Sequence, residues 1–211
     1  MSYLDDISLM VQKGKAKDVK AAITTALDEG KDAKEILNDG LLAGMEIIGG
    51  KFKREEVFVP EVLVAARAMN AGVDILKPYL ADAANEKVGA AVVGTCKGDL
   101  HDIGKNLVRI MLEGKGFEVI DLGSDVAPER FIDTAIEKNA SIIGCSALLT
   151  TTMPVMKEVV DLAAERGIRD KVKIMIGGAP VTQGFCDKIG ADAYTEDATS
   201  CAEKALELIG K

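Results

Sequence analysis

The chain has a single histidine, in the run Asp99-Leu100-His101-Asp102-Ile103-Gly104. An imidazole is a metal ligand, a general base or an ordinary polar side chain, and its surroundings narrow the choice. The run follows an apolar stretch, Ala90-Ala91-Val92-Val93, and opens a helical pattern of Ile103, Leu107, Ile110 and Met111. His101 therefore falls at the carboxyl end of a first strand, where open α/β sheets collect their ligand chemistry. Asp99 or Asp102 can take a hydrogen bond from one ring nitrogen, which fixes the tautomer and makes the other nitrogen a stronger metal ligand.

Two further loops follow strand-like runs. Ser146-Ala147-Leu148 continues to Thr150-Thr151-Thr152, and Gly177-Gly178 follows Val172-Lys173-Ile174-Met175-Ile176. In a parallel sheet the three loops converge on one rim. The glycine pair lets a ligand approach the backbone, and Ser146 offers one donor and two acceptor sites. Taken singly, each has an ordinary reading as a turn or a strand end. Cys96 and His101 could supply two zinc ligands, but no second pair has suitable spacing. No glycine-rich phosphate loop follows the first strand. The third strand ends in Gly144-Cys145-Ser146, without the lone Asp of a phospho-accepting receiver.

The elements that position these residues divide in two. Residues 1–84 read as four helices. The first carries Leu4, Ile7, Met10 and Val11 and stops at Gly14; the second carries Val19, Ala22, Ile23, Ala26 and Leu27 and stops at Gly30. The third holds Ile36, Leu37, Leu41, Met45 and Ile48, and Gly49-Gly50 is expected to end it. Its Gly40 and Gly44 share a face, read equally as close helix packing or as a surface cleared for something flat. Pro60 suits the first turn of the fourth, with Val62, Leu63, Ala66, Met69 and Val73 along one side. Short connections between them suggest a compact bundle. A polar stretch, 81–88, reads as a linker. From residue 89 to 211 strands and helices alternate, with strands expected at 89–95, 117–122, 141–146, 172–176 and 191–195. Five β–α units make a doubly wound, five-stranded parallel sheet of Rossmann-like, flavodoxin-type topology.

Composition agrees with a folded aliphatic core. Of 211 residues 48% are hydrophobic and only 4% aromatic, and the net charge of −8 argues against nucleic-acid binding. The scattered cysteines Cys96, Cys145, Cys186 and Cys201 read as reduced, mostly buried thiols. With no signal-peptide pattern and no long apolar stretch, the expectation is a cytoplasmic protein without a membrane segment.

Together the three loops resemble the cobalamin-binding signature DxHxxG, SxL, GG. Here 41 residues separate Gly104 from Ser146 and 28 separate Leu148 from Gly177. The stretch Lys97-Gly98-Asp99-Leu100-His101-Asp102-Ile103-Gly104-Lys105-Asn106 is similar to cobalamin-dependent methionine synthase and to the small corrinoid proteins of methyltransferase systems. Gly44-Met45, Phe52 and Phe58-Val59-Pro60-Glu61-Val62-Leu63 resemble the helical cap of those proteins. The likeness spans nearly the whole chain.

The resemblance implies a cobalamin or related corrinoid bound base-off/His-on, with His101 as lower cobalt ligand, Asp99 as its partner and Thr152 ending the relay. Gly98, Leu100, Asp102, Gly104, Leu148 and Thr150 would line the cofactor, Ser146 would meet the displaced nucleotide base, and Gly177 and Gly178 would leave room for that tail. Phe52 and Val59 match cap residues over the upper face, Val59 standing where a Leu is usual; Asn38 and Ala198 match further contact positions. Neutral imidazole, whose unperturbed pKa is about 6.5, suits a cobalt that alternately takes and releases an axial base. No zinc-thiolate site, folate barrel or homocysteine barrel is legible, so the chain reads as a methyl-carrying subunit and not a complete enzyme. The implied partners are a substrate:corrinoid methyltransferase acting on a methoxylated aromatic, methanol, a methylamine or a betaine, a methylcorrinoid:tetrahydrofolate (or thiol) methyltransferase, and a reductive activase. The cap would swing about the 81–88 linker to admit them. The rival readings are a cobalamin-dependent sensor, a mutase small subunit and a cofactor-free α/β interaction module.

Overall fold

The computed structural model describes residues 2–79 and 88–211. The chain divides into two compact units, Met1–Glu86 and Lys87–Lys211. Of the stretch expected to form a linker, 81–87 lies outside the described residues.

In the first unit, α1 (Tyr3–Gln12) opens on a capping box in which the Ser2 hydroxyl accepts from the Asp5 N–H and the Asp5 carboxylate accepts from the Ser2 N–H. It ends at Gly14, φ 66°, with the Lys15 N–H donating back to Met10 O, a left-handed cap that glycine adopts without a Cβ clash. Helix α2 (Ala16–Asp28) stops likewise at Gly30. The third helical stretch runs through α3 (Ala33–Glu35), a π segment (Ile36–Leu42) and α4 (Ala43–Lys53). Gly49-Gly50 does not end it, contrary to the sequence expectation. The buried face continues through Met45, Ile48 and Gly49 to half-buried Phe52, and packing of that face overrides the low helix propensity of the pair. The stop is at Glu55, φ 59°, with the Glu56 N–H returning to Lys51 O.

The face carrying Gly40 and Gly44 packs on α1. A Cβ on Gly40 would lie 3.1 Å from Ile7 Cγ2, and one on Gly44 2.8 Å from Ser8 O. Close helix packing therefore accounts for both. In α5 (Val59–Leu76), Pro60 sits in the first turn and Val62, Ala66 and Met69 are buried. Leu63, expected on the same side, is exposed, because it is one step of 100° off the stripe.

In the second unit the order is β1 (Ala90–Thr95), α6 (Ile103–Gly114), β2 (Glu118–Asp121), α7 (Pro128–Glu137), β3 (Ile142–Ser146), α8 (Pro154–Glu165), β4 (Lys173–Gly177), α9 (Gln183–Ile189), β5 (Ala193–Tyr194) and α10 (Ala198–Leu208). All pairings are parallel, in the order β2-β1-β3-β4-β5. Helices α6 and α10 pack together, and α7, α8 and α9 form the other layer. Coverage on both faces is why β1, β3 and β4 are near-continuous apolar runs. Strand β5 is shorter than the expected 191–195. The chain leaves β1 toward β2 and β3 toward β4, in opposite directions, so the topological switch point lies between β1 and β3.

Candidate cofactor-binding site

Both loops at the switch point meet on one carboxylate. Asp99, in the loop after β1, is 0% exposed. Its Oδ1 accepts from the His101 backbone N–H at 3.1 Å and pairs with His101 Nδ1 at 2.7 Å. Its Oδ2 accepts from the backbone N–H groups of Leu148 (2.7 Å) and Leu149 (3.1 Å) and from the Thr152 hydroxyl (3.0 Å), all in the loop after β3. The Thr152 hydroxyl also lies 2.9 Å from Leu149 O, so its one proton is shared between two acceptors. Burial by itself would push the Asp99 carboxyl up. The donors from His101, Leu148 and Leu149 overcome that penalty and hold it well below the usual carboxylate range.

An ionised Asp99 accepts and cannot donate, so the neutral His101 ring carries its proton on Nδ1 and leaves a lone pair on Nε2. The residue is pinned at two further points. Its N–H is on Asp99, and its carbonyl accepts from the buried Thr95 hydroxyl at 3.0 Å. Yet 54% of the side chain is exposed. This is a basic nitrogen on a rigid mount at a solvent-accessible rim. The mount has a third support: the Asp125 carboxylate accepts from Gly98 N–H at 2.7 Å, and the Asp125 N–H donates to Asp99 O at 3.0 Å.

Around the imidazole the surface is apolar. Leu100 is 76% and Ile103 73% exposed, and Leu148 and Leu149 are also exposed. Large aliphatic side chains clustered about a polar centre mark a surface built to be covered. A Cβ on Gly104 would meet nothing within 4 Å, leaving the start of α6 clear beside the ring. Gly178, at φ 128°, is the opposite case: a Cβ there would fall 1.9 Å from Ala147 O, so the β4 loop lies directly against the β3 loop. Ser146 stands between Thr95 and Gly177 in the sheet register.

Of the residues singled out in the sequence, Asp99, His101, Leu148 and Thr152 are joined by hydrogen bonds. Gly98, Leu100, Asp102, Gly104, Ser146, Thr150, Gly177, Gly178 and Ala198 lie at the same carboxyl end of the sheet. The choice between Asp99 and Asp102 falls to Asp99; Asp102 instead accepts from the Asn106 amide at 3.1 Å. Asn38 lies exposed in the π segment, half-buried Phe52 in α4 and half-buried Val59 at the start of α5, all in the first unit. Sequence reasoning missed Thr95, Asp125 and the Leu149 N–H. A backbone donor leaves no mark on residue type, and Asp125 declares itself only through its left-handed φ of 57°.

Comparison with known proteins follows this division. A B12 binding domain model matches residues 89–203, and a second B12 binding domain model matches residues 3–77. This chain belongs to the B12-binding corrinoid proteins. It is 48% identical over 194 residues to dimethylamine corrinoid protein 1 of Methanosarcina acetivorans, covering 90% of this chain and 91% of that protein. It is 40% identical to a corrinoid protein of Desulfitobacterium hafniense over 100% of this chain and 99% of the other. Among solved structures it matches the methanol:cobalamin methyltransferase complex MtaBC from Methanosarcina barkeri with a TM-score of 0.91 and 31% identity, covering 99% of this chain and 80% of that one.

The second unit fits a corrinoid on its own terms. His101, held through Nδ1 by Asp99, leaves its other ring nitrogen as a donor of the kind a metal-centred macrocycle could take. The aliphatic surface of Leu100, Ile103, Leu148 and Leu149 suits the flat face of a macrocycle. The open position at Gly104 removes an obstruction beside the ligand. Among the described residues no helix is long and apolar enough to cross a membrane.

Proposed function

We propose that this corrinoid protein is a methyl carrier that holds its cofactor base-off/His-on, with His101 Nε2 as the lower cobalt ligand. When bound, the corrinoid supplies a cobalt centre able to accept and release a methyl group. The chain's own residues hold and tune that centre. His101 presents its lone pair. Asp99 fixes the tautomer by accepting from His101 Nδ1. Thr152 shares a proton with the far oxygen of Asp99. Leu100, Ile103, Leu148 and Leu149 exclude water from the lower face. Ser146 and the Gly177-Gly178 turn receive the displaced nucleotide tail, with Ala198 beside them.

The observation that carries this reading is the pairing of His101 Nδ1 with the buried, five-times hydrogen-bonded Asp99 at the switch point. The names of the relatives favour a carrier over a sensor or a mutase subunit, and the 48% likeness to a dimethylamine corrinoid protein favours a methylamine as the methyl source. The partners on this reading are a methylamine:corrinoid methyltransferase, a second methyltransferase passing the group to tetrahydrofolate or a thiol, and a reductive activase, in the cytoplasm.

The test mixes the reduced, cobalamin-loaded protein with a dimethylamine:corrinoid methyltransferase and follows the visible spectrum as dimethylamine is added. Stoichiometric spectral conversion with release of monomethylamine supports the assignment. Conversion with methanol and its methyltransferase but not with dimethylamine would replace the substrate class; no conversion with any methyl donor would overturn the carrier role.

A further inference from the structure

Lys105 is only 3% exposed, an unusual setting for a lysine, and nothing in the carrier reading uses it. Its Nζ donates to both oxygens of Asp121, at 2.6 and 2.7 Å, and to Asn106 Oδ1 at 2.8 Å. Arg109 Nε adds a second cation 3.8 Å from Asp121, and its own Nη1 lies 3.0 Å from Glu113. Taking an ammonium out of water is costly unless it is fully paired, so a buried lysine at this position calls for an explanation.

Two hydrogen-bonded routes run from the pair to the histidine. On the first, the Asn106 amide donates to Asp102 Oδ2 at 3.1 Å, and Asp102 adjoins His101. On the second, Asp121 Oδ1 accepts from Gly123 N–H at 2.9 Å, Gly123 O accepts from Thr95 N–H at 2.9 Å, and the Thr95 hydroxyl donates to His101 O at 3.0 Å. The pair thus ties the start of α6 and the end of β2 to both sides of the same residue.

We propose that Lys105 and Asp121 are positioning residues for the axial ligand: their ion pair sets where His101 stands above the strand ends, through Asp102 on one side and Thr95 on the other. The proposal rests on the reading of His101 as the cobalt ligand. An ion pair serving the fold alone would affect stability when removed. A positioning pair also shifts how much of the bound cobalt carries the imidazole.

The experiment labels the histidine of the full chain with nitrogen-15, loads it with cob(II)alamin and reads the His-ligated fraction from the nitrogen-15 doublet in its electron paramagnetic resonance spectrum, at several pH values. Lys105→Met is compared with Lys105→Met/Asp121→Leu, which leaves no orphan carboxylate, and with Thr95→Val/Asn106→Ala, which cuts both routes but keeps the pair. All three are expected to lower the ratio of ligated to unligated cobalt by about tenfold, the usual size of an outer-shell effect on metal affinity. If Lys105→Met fails to fold, the double variants decide. A folded double variant with the wild-type ratio overturns this proposal alone. A wild type without histidine nitrogen splitting overturns it together with the ligand assignment.

Discussion

Replacing Asp99 with Asn preserves the shape of the side chain and exchanges one acceptor oxygen for an NH2 donor. The consequence follows from the donor count at each oxygen. Oδ2 collects three donors, Leu148 N–H, Leu149 N–H and the Thr152 hydroxyl, whereas Oδ1 serves His101 alone. The amide oxygen of the substituted side chain will therefore keep the Oδ2 position, and its NH2 will face the imidazole. The ring must then accept at Nδ1 and carry its proton on Nε2, the atom proposed as the cobalt ligand. The His101 backbone N–H also loses its acceptor, at a cost of about 1–3 kcal/mol. The ratio of ligated to unligated cobalt should fall by ~10- to 100-fold. Because the chain has one histidine, a long-range proton–nitrogen correlation on histidine-labelled apoprotein reads the tautomer without ambiguity. Wild type should show the proton on Nδ1 and Asp99→Asn the proton on Nε2. An Asp99→Asn protein that keeps the wild-type tautomer and ligation would refute the reasoning.

Thr152→Val removes one donor to Asp99 but keeps the tautomer; it should cost about 1 kcal/mol in urea unfolding and weaken ligation less than Asp99→Asn. Gly178→Ala should destabilise the apoprotein by about 3 kcal/mol or more, since the added methyl meets backbone at a strained φ, read as a lower thermal midpoint. Gly104→Ala should act in reverse, leaving apo stability unchanged or raised by up to ~1 kcal/mol while weakening corrinoid binding in an absorbance titration. The lowered folded-state pKa of Asp99 means its stabilisation is fully present above the unfolded value of about 3.9 and is lost as pH falls through the folded one. Apo wild type should therefore lose stability in acid more steeply than Asp99→Asn in matched urea titrations.

Much of this architecture is legible because burial on both faces forces continuous apolar strands, and three loops after such strands must meet at one rim. His101 stood out as the only imidazole beside carboxylates at a strand end. What escaped depends on geometry without a sequence signature. The Leu148 and Leu149 N–H groups act through the backbone. Thr95 looks like any strand residue until its hydroxyl is seen on His101 O. The end of α4 was misplaced because Gly49 and Gly50 stay inside a helix whose buried face outlasts them, and the π segment at Ile36–Leu42 leaves the apolar period readable while changing the turn.

The central claim, that His101 replaces the cofactor's own base beneath cobalt, has a direct test. The protein is prepared with nitrogen-15 only in histidine and loaded with ordinary cob(II)alamin, and the axial nitrogen splitting is recorded. The nitrogen-15 nucleus gives a doublet and the cofactor's nitrogen-14 base a triplet. A doublet that disappears in His101→Ala is the predicted result; a triplet, unchanged by that substitution, would contradict it.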